Sequence, residues 1–401
     1  MGRPLEGVRI IELGSFIAGP FATRLLADFG AEVIKVESLG GDQLRQWGIG
    51  PEGMDSYWSM IQQRNKKSIA VNLRDHEGQK IVRELIRTAD AVVENFKPGT
   101  LEKWNLSHDQ LKQINPRLII TGVSGFGQTG PYRDRPGFGN IAESMGGWRY
   151  VTGFPDRPPV RVGLSLGDSV AALYAVIGTL LALYHRDARK SGEGQVVDVA
   201  LYEAVFSMLE GILPEYVHAG RVRERNGNQP AALAPSNVYP TSDGKWVAIG
   251  ANSDSLFKRL MTTIGREDLA NDPRLQDNPG RVRVADMLDE IIQSWTTCHT
   301  LQEIVEILDR AGVPAGPIYS IADIYADPHY KARDMFVTVK DERIGDLVMP
   351  GIVPKMSNTP GSIKHAGPPC GLDTRSVLKE LGYDDEHIEN LQKQGVIGVA
   401  D

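Results

Sequence analysis

The chain has 401 residues, 41% of them apolar and 24% charged, enough for two or three domains of about 100–200 residues with sizeable cores. A net charge of −7 argues against a nucleic-acid partner, which needs a basic face to displace counterions, but leaves room for a local basic pocket around a small anion. The two cysteines, Cys298 and Cys370, sit in no CxxC or Cys/His cluster. Neither a metal site nor a disulfide scaffold is indicated, and a reducing, cytoplasmic setting is expected.

In chain order, residues 8–13 (VRIIEL) form a short β-rich run. Residues 18–29 have helical spacing, with Pro20 tolerable in the first turn. Residues 33–36 and 68–71 are strand candidates, and 76–88 (HEGQKIVRELIRT) is an amphipathic helix. Residues 91–93 and 118–123 are further buried strands. Strands alternating with helices imply a parallel sheet with helices on its faces. Residues 168–185 predict a long buried helix with Asp168 at its start, where an aspartate can cap the first amides and gain from the helix dipole. No apolar run is expected to reach the ~18 residues that span a bilayer, and the N-terminus lacks a signal-peptide core. A strand at 196–200 leads into a helix through about Tyr216.

Residues 220–236 are rich in Gly, Pro, Asn and Arg and predict a domain boundary. A smaller unit follows, with a strand at 246–250 and helices near 255–264, 282–295 and 301–311. Turn signals from 318 to 368 predict an extended return path, and 374–381 a last helix. The segment Gly125-Phe126-Gly127-Gln128-Thr129-Gly130 fits the dinucleotide pattern G-x-G-x-x-G, but Pro131 and a turn-rich stretch follow where a helix must open. A glycine loop that lets backbone approach closely is the preferred reading. From spacing alone Asp168 is an N-cap and Asn95 a strand-end polar residue.

Several segments, in order, resemble family III CoA-transferases, the group of formyl-CoA transferase and carnitine CoA-transferase. They are LEGVRIIELGSFIAGPFATRLLADFGAEVIKVE (5–37), GGDQLRQWG (40–48), RNKKSIAVNLR (64–74), ADAVVENFKPGTLEKW (89–104), SGFGQTGPYRDRPGF (124–138) and LGDSVAALYAVIGTLLAL (166–183). GQVVDVALYEAV, VPAGPIYS and VLKELGY extend the likeness over nearly the whole chain. The resemblance implies an α/β fold: a Rossmann-like large domain with a parallel sheet over 1–215, completed by 370–401. It also implies a linker at 216–235, a smaller α/β domain at 236–330 and a return linker at 331–369. An interlocked, ring-shaped homodimer is implied as well.

The resemblance makes Asp168 the nucleophile that carries an acyl group and then coenzyme A, with acyl-CoA as substrate and no metal or tightly bound cofactor. It places coenzyme A contacts at Phe16, Ile17 and Ala18; at Val71, Asn72, Leu73 and Arg74; at Asn95, Phe96 and Lys97; at Lys103; and at Arg135, Pro136, Gly137 and Phe138. Arg74, Lys97, Lys103 and Arg135 would face the anionic nucleotide. Ser38 stands where some members carry an arginine. Residues 227–235 replace the glycine run of formyl-CoA transferase, which argues against oxalate and formyl-CoA.

The same fold hosts α-methylacyl-CoA racemases, which use the aspartate as a base beside a histidine in a G-H-D segment. Here that place reads Gly137-Phe138-Gly139, and phenylalanine moves no proton. A catalytically silent CoA-binding homologue is the other alternative. Segments such as RVRERNG and PVRVG look most like members that use succinyl-CoA with dicarboxylic or hydroxydicarboxylic acids. Arg161, Arg221, Arg223 and Arg225 are candidate anchors for the second carboxylate. No membrane partner is expected.

Overall fold

Short runs rich in valine and isoleucine become parallel strands: β1 (Arg9–Glu12), β2 (Glu32–Glu37), β3 (Lys66–Val71), β4 (Ala91–Glu94), β5 (Ile119–Ser124) and β6 (Val196–Ala200). The computed structural model describes residues 2–230 and 232–400; Ala231, inside the expected linker, and the terminal Met1 and Asp401 lie outside the described residues. The strands pair in the order β3-β2-β1-β4-β5-β6, all parallel, and Ile397–Gly398 adds antiparallel to the outer edge of β3. Strand order reverses between β1 and β4. An open parallel sheet leaves a crevice beyond its carboxyl ends at such a reversal.

Helices cover both faces of the sheet. Helix α1 (Ala18–Asp28) follows β1. Helix α2 (His76–Arg87) is capped by Asp75 and buries Ile81, Val82, Leu85 and Ile86 in one stripe. Helices α3 (Gly139–Met145) and α4 (Leu166–Leu183) complete the part that matters for the site. Helix α4 packs Val170, Ala171, Ala172 and Ala175 against Ala18, Ala22 and Val123, and its Thr179 hydroxyl meets that of Thr121 at 2.7 Å. With the π turn that follows (Tyr184–Ala188), this helix runs 23 residues and is long and apolar enough, by length and composition only, to cross a membrane. That corrects the expectation that no run reaches such a length. Leu166–Leu183 alone is 18 residues, because the helix begins ahead of the apolar run and takes in Gly167, Asp168 and Ser169, and its packed alanine face makes it part of the core.

The chain divides into two units, a large one (Met1–Trp148, Val162–Glu210 and Ala332–Asp401) and a small one (Arg149–Arg161 and Gly211–Lys331). The small unit takes in residues 149–161 because Gly227 N donates to Gly153 O at 2.9 Å and Arg225 Nη1 to Tyr150 O at 2.9 Å. Its antiparallel sheet is β7 (Ser236–Pro240), β8 (Trp246–Gly250) and β9 (Ala315–Pro317), paired in that order. The helix expected through Tyr216 is two, Leu201–Phe206 and Ile212–Ala219, broken where Glu210 turns to φ 51°.

The expected return linker also differs. It contains a hairpin, β10 (Phe336–Asp341) and β11 (Gly345–Pro350), whose Val339, Leu347 and Met349 pack on Met60 and Ala366 of the large unit. Alternating residues bury one face of that hairpin, so the segment is structured.

Candidate active site

The loop between β1 and α1 is fixed from two sides. Asn95, just past β4, accepts from Ser15 N and donates to Ser15 O, both at 2.8 Å. A Cβ on Gly14 would stand 2.8 Å from Asn95 Oδ1, so glycine is required for this approach. Phe16 adopts φ 63°, a region that side-chain-bearing residues seldom occupy. Its amide donates to Asp42 Oδ1 at 3.1 Å, and Asp42 in turn accepts from Lys35 Nζ at 2.9 Å.

Lys35 also donates to Glu12 at 2.7 Å and to Gly14 O at 2.9 Å, and Glu12 accepts from Lys66 Nζ at 2.7 Å. All four charged groups are buried. Burial alone would raise the Glu12 and Asp42 carboxyls, but the neighbouring ammonium groups outweigh it and hold both below their ordinary values. Burial likewise opposes the charge on Lys35, and Glu12 and Asp42 reverse that, raising it.

Two cavities open beyond the carboxyl ends of the strands, where the strand order reverses. One, of about 310 Å³, is lined by Phe16, Ile17, Ala18, Asn95, Phe96, Lys97, Arg135, Pro136, Gly137, Phe138 and Asp168, among others. Beside it, one of about 660 Å³ is lined by residues 35–43 and by Val71, Asn72, Leu73, Arg74 and Trp104. Ser15, Phe16 and Phe96 line both. The two linings thus hold Asp168 and every candidate coenzyme A contact except Lys103, and none of the candidate carboxylate anchors. That lysine ends the short helix Thr100–Lys103, and its neighbour Trp104 takes the place on the wall. Arg74, Lys97 and Arg135 supply the cationic lining, and the Arg135 guanidinium lies 3.6 Å from the Tyr132 ring centroid. A separate hollow of about 530 Å³ in the small unit, lined by Asn226, Gln229, Arg283 and Asp289, holds none of the candidate residues.

Asp168 is not the N-cap of its helix. Ser165 holds that position, and Asp168 is the third helical residue. The amide of Gly167 donates instead to Glu143 Oε1, at 3.1 Å, from α3. Asp168 still lies in the first turn, where the helix dipole favours the ionised form. Below it, a Cβ on Gly139 would overlap Oδ2 and stand 2.6 Å from Cγ. Gly125 and Gly137 touch backbone to backbone: a Cβ on Gly125 would lie 2.9 Å from Gly137 Cα. The G-x-G-x-x-G match is therefore loop packing, and turns follow it where a dinucleotide site needs a helix.

Sequence reasoning missed Asp42, Lys35, Gly139 and Glu143. Lys35 carried a signal, a charge inside the apolar run VIKV. Gly139 and Glu143 carried none, because their importance depends on a contact between distant segments. Of the candidate carboxylate anchors, Arg223 is ion-paired with Glu215 and Arg225 donates to Tyr150 O at 2.9 Å. The two neighbouring cavities thus place a carboxylate in the wall of one and cationic side chains in the walls of both.

The model of "CoA-transferase family III" matches residues 5–374. Succinyl-CoA–D-citramalate CoA-transferase of Chloroflexus aurantiacus is 48% identical over 397 residues, covering 98% of each chain. The succinyl-CoA–L-malate CoA-transferase beta subunit of the same organism is 45% identical over 399 residues, again 98% of each. A crystal structure of a CaiB/BaiF family protein from Brucella suis superposes with a TM-score of 0.84 at 36% identity, covering 95% of this chain and 100% of that one.

Proposed function

The chain belongs to CoA-transferase family III, and we propose that it moves coenzyme A from succinyl-CoA to a dicarboxylic or hydroxydicarboxylic acid, with Asp168 as the attacking carboxylate. The observation that carries this reading is the position of Asp168 in the wall of a cavity that shares Phe16 and Phe96 with a neighbouring cavity lined by Arg74.

An Asp168 oxygen attacks the donor's acyl carbon, the C–S bond breaks and CoA leaves as thiolate. The thiolate attacks Cγ of the mixed anhydride, releasing the donor's carboxylate and leaving an aspartyl-CoA thioester. The acceptor carboxylate then attacks Cγ, expelling the thiolate again, which attacks the acceptor's carbonyl and restores Asp168. No net proton moves, so the chemistry needs direction and exclusion of water more than acid–base help. A racemase reading finds no support: the cavity beside Asp168 is lined by Phe138 and, among the described residues, by no histidine. Asp168→Ala is expected to lose CoA transfer by at least about 1,000-fold. Borohydride trapping after acyl-CoA addition should label the Asp168 peptide of the wild-type enzyme alone. An Asp168→Ala enzyme of near wild-type rate would remove the mechanism.

The names of the relatives above suggest the donor and the acceptor class. Arg161, Arg221, Arg223 and Arg225 are the anchors we propose for the second carboxylate, and the KM for a dicarboxylate after replacing each with alanine tells them apart. We propose that the enzyme works in the cytoplasm as a homodimer of interlocked, ring-shaped chains. The outward side of α4 supports the subunit contact: Leu173, Ile177 and Leu181 are 46–65% exposed along one helix. Light scattering separates a homodimer from a pair of unlike subunits, which the alpha and beta relatives make the rival assembly.

A further inference from the structure

An aspartate side chain turns about two torsions, so a nucleophilic carboxylate needs neighbours that fix its direction. Two features of α3 meet Asp168 and the residue before it. The first is the space above Gly139. A Cβ there would overlap Oδ2 and lie 2.6 Å from Cγ and 3.0 Å from Oδ1, so the carboxylate occupies the volume that any other residue would fill. The second is Glu143, which is buried and one turn further along α3. Its Oε1 accepts from the Gly167 amide at 3.1 Å. That amide is one of the first-turn donors for which an acidic side chain at a helix start competes. Gly167 also packs closely: a Cβ on it would stand 3.1 Å from Glu143 Cγ and 3.1 Å from Gly139 O.

Resting on the nucleophile role proposed for Asp168, we propose that Gly139 and Glu143 are its positioning residues. Gly139 reserves the volume in which the carboxylate lies. Glu143 takes the Gly167 amide, one of the helix-start donors, and ties the start of α4, next to Asp168, to α3. A larger residue at 139 is accommodated by rotating Asp168 away, which preserves the fold while misdirecting the nucleophile. An aspartate rotated about its first torsion moves its oxygens by more than an ångström, a displacement of the size that costs about 100-fold in rate.

The test compares Gly139→Ala, Glu143→Ala and Glu143→Gln with wild type and Asp168→Ala, using succinyl-CoA as donor. Gly139→Ala is expected to lose about 100-fold in kcat with KM for succinyl-CoA within about 3-fold. Its melting temperature should hold, and borohydride should fail to label Asp168. Glu143→Ala should show the same split. Glu143→Gln, whose amide oxygen still accepts from Gly167, should recover the lost kcat. The assignment is overturned by a Gly139→Ala enzyme within about 3-fold of wild type, by losses that track a fall in melting temperature while Asp168 labelling persists, or by failure of Glu143→Gln to recover what Glu143→Ala loses. An active Asp168→Ala enzyme would overturn the nucleophile role itself, a separate result.

Discussion

The large and small units bury different things. Around β1 to β3 the large unit encloses Glu12, Asp28, Lys35, Glu37, Asp42, Arg45, Arg64 and Lys66, each at most 6% exposed. The small unit packs Tyr239, Val247, Phe257, Leu260, Leu288, Ile292, Ile304 and Leu308, and among its described residues Arg281 is the one buried charge. An apolar core of similar volume is usually as stable as a set of buried ion pairs, so stability does not explain the first arrangement. Geometry does. Glu12, Lys35 and Asp42 form a chain of bonds that ends on the Phe16 amide, and Phe16 stands between the two cavities. The charges fix a loop that carries a strained residue; among its described residues the small unit has no side-chain-bearing residue at positive φ to hold.

The most disruptive test of this contrast is Lys35→Met. It leaves Glu12 and Asp42 short of their shared cation and is expected to cost about 3–5 kcal/mol. Because the lost bonds hold the Phe16 loop, KM for acyl-CoA should rise as well, which steady-state kinetics beside a urea melt will show. Arg281→Leu is the counterpart. Its guanidinium donates to the carbonyls of Ala234, Leu275 and Asn252, while its carboxylate partner Asp254 is largely solvated. Losing those bonds should cost about 1–3 kcal/mol with KM for acyl-CoA unchanged. An equal rise in KM for both variants would erase the distinction.

The mildest test is pH. Glu12, Glu37 and Asp42 are held below their ordinary values, against the opposing effect of burial, by Lys35, Lys66 and Arg45. Carboxylates lowered in this way add stability that is present above the ordinary glutamate value of 4.5 and is lost as pH falls through the depressed ones. Hydrogen exchange followed from about pH 5 down to about pH 2 should therefore show protection fading in β1 to β3 before β7 and β8.

Much of the large unit was legible because its strands are buried on both faces and read as unbroken valine and isoleucine runs. The hairpin at 336–350 was hidden. Only one of its faces is covered, and Pro350-Gly351 reads as a turn signal. At Asp168 the local pattern pointed to a cap, because nothing near it in sequence announces that Glu143 binds the Gly167 amide. Nor does a lone glycine at 139 reveal whose space it protects. Ordered likeness to a family supplied the candidate residues, while the bonds that hold them come from residues 20 to 80 positions away, such as Asn95 on Ser15.

The outer edge of β3 is closed by the far end of the chain. Ile397 pairs with Val71, Asn72 N donates to Val396 O, and Asp373 and Thr374 accept from the amides of Ser68 and Ala70. A ribosome adding about 5–20 residues per second needs tens of seconds to reach those partners after releasing β3. Until then a strand of the nascent sheet has a bare edge able to pair with any passing chain. Synthesis of this enzyme thus carries a built-in waiting period, ended only when residues 373–398 emerge.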